Sequence, residues 1–170
     1  MSKLAAAVLA CICWALFAIP MSAQILPRGN VYGGVGIGEA TFAVNHQSYR
    51  GWEASGEALP FVRLPHIGVV VDGSGFYRSG IKQYNILAGL RLSASYGKWR
   101  PFVHAMGGLQ HVTSSGLVYN PIAIDVGGGA DYKLFFKNFS WRLQGDYVHT
   151  HYLSSNQGDY RGSTGIVWRF

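Results

Sequence analysis

The chain is short of cysteine and short of charge, and each shortage removes a class of protein. Its two cysteines, Cys11 and Cys13, lie close to the start of the 170 residues, so nothing downstream offers a thiol for a disulfide, a nucleophile or a metal. Charged residues make up 13% of the chain, about half the ~25% of an ordinary soluble domain. Acidic residues are the scarcer kind, 8 against 14 lysines and arginines, which leaves a net charge of +6. What is present in excess is glycine, at 23 residues, together with 14% aromatics and 49% hydrophobic residues. The glycines show no G-X-Y period and are scattered through alternating segments, which excludes collagen and disorder and fits a tightly curved sheet.

The first residues read as an export signal. Lys3 gives a positive start, Leu4 to Ile19 is apolar, Pro20 breaks the run, and Met21-Ser22-Ala23 offers a small-residue cleavage site before Gln24. The apolar run falls short of the ~20 residues that span a bilayer comfortably. Lipoprotein processing at Cys11 would leave a very short apolar region before the cut. The expected division is therefore a cleaved signal peptide at 1–23 and one domain at 24–170. An exported chain seldom meets nucleic acid, so the counterpart of its positive charge is expected to be anionic lipid headgroups.

Beyond the signal, the dominant pattern is a period of two, the mark of a strand with two unlike faces. From Asn30 to Gly38, Val31, Gly33, Val35 and Ile37 share one face. The same reading gives strands over Gly51–Ala58, His66–Tyr77, Lys82–Ser93, Arg100–Gln110, Asn120–Lys133, Phe139–Tyr147 and Tyr160–Phe170, with turns at Pro60–Pro65, Ser95–Trp99 and Phe136–Asn138. The connections are too brief for crossover helices, so neighbouring strands are antiparallel. Gly34-x-Gly36-x-Gly38 is not a dinucleotide loop, because the third glycine comes one place early and no helix pattern follows.

The two faces differ in a way that separates two kinds of barrel. Of the 41 positions assigned to the eight apolar faces, which begin at Tyr84 in the fourth strand, none is charged, whereas six of the eight carboxylates, Glu53, Glu57, Asp72, Asp125, Asp131 and Asp146, fall on the opposite face with Arg91, Lys133, Arg142, Arg161 and Arg169. A soluble barrel keeps apolar side chains inside and charges outside. A barrel in lipid does the reverse, and it must close, since hydrocarbon offers no partner to an unpaired sheet edge. Trp52, Tyr77, Tyr84, Tyr147 and Tyr160 fall at one set of strand ends and Tyr132, Phe139, Trp141, Trp168 and Phe170 at the other, as two interfacial belts require. The fold class is thus all-β, an eight-stranded antiparallel transmembrane β-barrel. The last strand is expected to pair with both the first strand and the seventh.

From about residue 24 to residue 170 the chain resembles the small eight-stranded outer-membrane barrels, the class typified by the membrane domain of outer membrane protein A. The resemblance is carried by Ile166, Trp168 and Phe170 at the C-terminus, by Gly128-Gly129-Ala130-Asp131-Tyr132-Lys133 and by Ser163-Thr164-Gly165-Ile166-Val167. It implies the outer membrane of a Gram-negative bacterium with both termini periplasmic. It also implies that the terminal pattern is the signal by which the assembly machinery recognises and inserts the chain. The lipid partners it implies include lipopolysaccharide.

For function, the expectation is a monomeric structural or surface-interaction barrel without a cofactor or nucleic-acid partner. Glu53, Glu57, Asp72, Arg91, Asp125, Asp131, Arg142, Asp146, Arg161 and Arg169 would form an interior charge network, with Asp72–Arg91 and Arg142–Asp146 as candidate pairs, rather than line a pore. A narrow ion channel is one alternative. A lipid A-modifying enzyme is another, since His111 with Ser114 and Ser115, and His149 and His151 with Ser154, Ser155 and Asp159, place serines, histidines and an acid near one rim. No local motif fixes a catalytic geometry, so no catalytic residue is assigned. His46, His111, His149 and His151 fall in expected outer loops, and His149-x-His151 is the candidate metal pair. Arg50, Arg78 and Lys82 lie where lipid phosphates are expected.

Overall fold

The structure, a computed structural model, describes residues 28–42, 45–60, 66–78, 80–114, 117–152 and 155–170. Among the described residues nine strands follow one another: β1 (Gly29–Phe42), β2 (Asn45–Ala58), β3 (Ile67–Arg78), β4 (Ile81–Ser93), β5 (Trp99–Ser114), β6 (Leu117–Tyr119), β7 (Ile122–Lys133), β8 (Phe139–Tyr152) and β9 (Ser155–Arg169). Eight of them pair antiparallel in a ring, β4-β3-β2-β1-β9-β8-β7-β5, and the β4–β5 ladder shuts it. The remaining strand, β6, is a three-residue return strand that pairs, among the described residues, with the end of β5. Closure runs through the last strand as its pattern requires: β9 pairs along β1 from Asn30↔Arg169 and along β8 from Phe139↔Trp168. The seam is tied to the final residue, where the backbone N–H and C=O groups of Gly29 and Phe170 exchange hydrogen bonds of 3.3 and 3.2 Å.

One end of the barrel carries Gly29, Phe170 and the tight β4–β5 and β7–β8 turns. In those turns Tyr96 and Trp99 exchange backbone bonds around Gly97, whose φ of 61° suits a residue without a Cβ, and the Phe139 N–H donates to Phe136. The opposite, hairpin end is built by β1–β2, β3–β4, β5–β6 and β8–β9.

Inside and outside are reversed relative to a soluble protein. Ile86 is 70% exposed and Val35 and Ile37 66%, while Asp125 and Arg142 are 0% exposed. Apart from Glu39, Arg50 and Lys82 toward the hairpin end, the outward strand positions described carry no charge, so the apolar band that lipid demands forms a continuous outer wall. Aromatic rings gather at its two margins. Trp99 packs on Tyr132 and Trp168 on Phe170 toward the turn end; toward the hairpin end Tyr77 packs on Tyr84, Tyr147 packs on Tyr160, and the Trp52 indole donates to the Tyr77 hydroxyl at 3.1 Å.

Glycines on the inner face create the space that large side chains occupy. A Cβ at Gly34 would overlap the Tyr32 phenol, one at Gly38 the Tyr49 ring, and one at Gly36 would press on Phe76. The Gly34-x-Gly36-x-Gly38 run is therefore a set of berths for three rings folded over the floor of β1.

At the hairpin end the strands outrun their expected limits. β2 begins at Asn45, β5 continues to Ser114, β8 to Tyr152, and β9 starts at Ser155, so His46, His111, His149 and His151 belong to strands and not to loops. The physical reason is that β2-β1-β9-β8 are neighbours, so the backbone ladders can continue past the apolar band, from Gly38↔Tyr49 to Phe42↔Asn45 and from Tyr147↔Tyr160 to Tyr152↔Ser155. There lipid no longer enforces one apolar face, and the alternation that marks a strand in the sequence fades. The expected signal peptide, and the Pro60–Pro65 turn beyond Pro60, lie outside the described residues.

Candidate functional site

The lumen is the candidate site, because the ring brings the charges of eight strands onto one axis. Of the ten residues expected there, Glu53, Glu57, Asp72, Arg91, Asp125, Asp131, Arg142, Asp146 and Arg161 are buried, and the Arg169 side chain is 27% exposed at the turn-end mouth. They form two clusters.

The cluster nearer the turn end is built on cross-strand register. Asp131 and Arg142 face each other directly across β7 and β8, so the guanidinium reaches both carboxylate oxygens, Nε to Oδ1 at 2.7 Å and Nη2 to Oδ2 at 3.1 Å. Arg169 donates to the same Oδ2 from β9. Across the lumen Arg91 donates to Glu57 at 3.3 Å, and the Asn30 amide donates to the same oxygen at 2.6 Å. Gly68, opposite Arg91 in the β3–β4 register, leaves the gap that the Glu57 carboxyl fills. The guanidiniums of Arg91 and Arg142 lie 4.5 and 4.7 Å from the centroid of the Phe102 ring, and Arg142 lies 4.9 Å from that of Tyr32. Desolvated cation–π contacts of this kind are worth about 1–2 kcal/mol each.

The second cluster sits further along the axis, around Arg161. Its guanidinium faces the carboxyls of Asp125, Asp146, Glu53 and Asp72, bonds directly to Asp125 Oδ2, and donates to Ser74 Oγ at 3.1 Å. Gln144 donates to Asp146 Oδ2 at 3.2 Å and also to Glu53. Level with it stands an apolar patch of Val70, Leu87, Met106, Ala123 and Val148, with Leu87 opposite Asp72 and with Met106 and Val148 opposite Asp125, and near the hairpin end Tyr49 packs against Phe76 at 5.1 Å.

The pairings differ from those expected on the strength of charge alone. Asp72 lies opposite Leu87, whereas Arg91 lies opposite Gly68, so the two are four register steps apart, roughly 13 Å at ~3.3 Å per residue. Arg142 and Asp146 are separated by the same distance along one strand. Arg142 and Arg169 instead meet Asp131, Arg91 meets Glu57 and Arg161 meets Asp125, partners that register and tilt bring beside them. Asp159, expected at the rim as an acid beside His149 and His151, is instead 0% exposed and accepts a 3.5 Å hydrogen bond from Gln83, while His104, to which the sequence gives no role, is 4% exposed in the second cluster. The signal for Asp159 was available, since it precedes Tyr160 and shares the inward parity of Arg161. His104 has no motif around it to mark it.

The rim residues separate by face. Arg50, Tyr77 and Lys82 form one outward row across β2, β3 and β4, while Arg78, next to Tyr77 in the chain, takes the opposite parity. His149 and His151 follow the outward parity of Tyr147 on β8, whereas Asp159 on β9 has the inward parity of Arg161 and is buried. His111 is held by Asn120, Nδ1 to Oδ1 at 2.7 Å, and sits 3.5 Å from the Thr113 hydroxyl. Ser115 and Ser154 lie outside the described residues.

No family model matches the chain, and no curated protein matches it by sequence. Solved structures do. Neisserial surface protein A superposes with a TM-score of 0.70 at 15% identity, over 84% of this chain and 97% of that one. Ail, the attachment invasion locus protein of Yersinia pestis, gives 0.56 at 14% identity over 86% and 100%. The N-terminal β-barrel domain of Pseudomonas aeruginosa OprF gives 0.55 at 14% identity over 84% and 99%. The fold is that of the small eight-stranded outer-membrane β-barrels.

Proposed function

We propose that the chain is a small outer-membrane barrel with a structural or surface-interaction role, neither a pore nor an enzyme. The observation that carries this reading is the filled lumen: Arg142, Asp131, Arg91, Glu57 and Phe102 close one cross-section, and Arg161 with its four carboxylates closes the next. An eight-stranded barrel is only just wide enough for side chains to fill it. Opening a path would mean parting ion pairs in a low-dielectric interior, at several kcal/mol for each charge left alone. In this reading the termini face the periplasm and the four hairpins face outward. The names of two structural neighbours, a surface protein and an attachment protein, suit a barrel whose business is at its outer end.

Outer-membrane lipids are the surrounding partners in this proposal. Arg50 and Lys82, exposed on either side of Tyr77 in the outward row, offer two cations beside an aromatic ring, a chemistry suited to the phosphates of lipopolysaccharide. The deciding experiment is single-channel recording from the purified barrel in planar bilayers. Electrically silent insertions support the filled lumen; a steady, reproducible conductance overturns it.

A further inference from the structure

The second lumen cluster also holds a buried histidine set between two carboxylates. His104 on β5, Gly127 on β7 and Asp146 on β8 stand in one row across three neighbouring strands, with Asp125 one inward step away on β7. His104 Nε2 lies 3.1 Å from Asp146 Oδ1 and 3.5 Å from Asp125 Oδ1, and the three side chains are 0–1% exposed. Yet among the described residues neither ring nitrogen of His104, nor either of those two carboxylate oxygens, has a hydrogen-bond partner. Gly127 keeps the space between them open, since a Cβ there would overlap the Asp146 carboxyl and come within 2.8 Å of His104 Nε2.

We propose that His104, Asp125 and Asp146 bind a divalent transition-metal ion inside the barrel. One imidazole nitrogen and two carboxylate oxygens lie within 4.8 Å of one another. Ligands at ~2.0–2.2 Å from a zinc-like ion stand roughly 3.0–3.5 Å apart, close to the two His104 distances. The outer oxygens of both carboxylates are already engaged, Asp125 Oδ2 by Arg161 and Asp146 Oδ2 by Gln144, which leaves the Oδ1 atoms to the ion. Such supporting bonds orient ligands in metal sites generally. The setting is acidic, with Glu53 on β2 and Asp72 on β3 near Asp125 and Asp146, and with Arg161 on β9 and His104 as their cationic neighbours. The donor set suits zinc, cobalt or manganese better than calcium, which takes oxygen alone. The bound ion cross-links β5, β7 and β8 from within.

The test uses the folded full barrel in detergent micelles, stripped with chelator and titrated with Co²⁺. One equivalent is expected to bind, with a visible d–d spectrum that His104→Gln abolishes and Asp146→Asn weakens at least about tenfold. X-ray absorption on the wild-type protein reads the donor set even where a variant does not fold, and one imidazole with oxygen ligands is the expected shell. Absence of binding at micromolar Co²⁺ and Zn²⁺ would mean that a proton on His104 fills the gap instead, and overturns the proposal. Two or more imidazoles in the shell, or binding unchanged in His104→Gln, moves the metal to the outward histidines and overturns it equally.

Discussion

Replacing Arg142 by methionine tests whether the lumen is held by its ion pairs. Arg142 is 0% exposed, forks onto both oxygens of Asp131 and stacks over Phe102 and Tyr32. Removing one partner of a buried pair costs about 3–5 kcal/mol, because the other charge is left unsolvated. Here Arg169 still bonds Asp131 Oδ2, which lowers the loss, while two cation–π contacts are lost with the guanidinium, which raises it. The expected destabilisation of Arg142→Met is therefore about 3 kcal/mol. Removing both charges, as Arg142→Met with Asp131→Leu, leaves no stranded carboxylate and is expected to recover most of that loss. The assay is reversible urea unfolding in lipid vesicles, followed by tryptophan fluorescence and by the mobility difference between folded and heated barrel on gels. The four proteins form a double-mutant cycle. A single variant within about 0.5 kcal/mol of wild type, or a double variant no better than Arg142→Met, refutes the idea that this pair closes the lumen.

Three further outcomes follow from the same geometry. Gly34→Ala places a methyl group against the Tyr32 phenol and the Thr164 carbonyl, and is expected to cost about 1–3 kcal/mol in the same unfolding assay, as overpacking does; a neutral result would mean the ring is not seated there. Val71→Arg puts a cation on the outer face midway along β3, where Val71 is 53% exposed, and should cost about 2–4 kcal/mol in vesicles; if urea titration shows no loss, that face does not meet hydrocarbon. Deleting Phe170 removes the ring packed on Trp168 and the backbone bonds that tie Phe170 to Gly29, and is expected to lower the yield of assembled barrel without impairing export, read by fractionation and immunoblot; normal assembly would count against a terminal insertion signal.

Much of the barrel was legible in the chain because lipid imposes a rule that is local and repetitive. Every second residue must suit hydrocarbon, so the outward faces of β1 to β5 and β7 to β9 can be read one strand at a time. The closing partnership of β9 with β1 follows from the ban on free edges. The hairpin end was less legible, since water tolerates either parity, and His111, His149 and His151 looked like loop residues although they lie in strands.

Alternation alone, then, determined which side chains enter the lumen and which meet lipid. It could not determine which of the inward charges touch. That depends on the register between strands and on their tilt, which are properties of the closed ring, and on gaps at Gly68 and Gly127 that let Glu57 and Asp146 lie over a neighbouring strand. So Arg142 meets Asp131 and not Asp146, and Arg91 meets Glu57 and not Asp72. His104, unmarked by any motif, comes to rest between two carboxylates because three strands with no local signal in common are neighbours in the ring, and only tertiary structure makes them so.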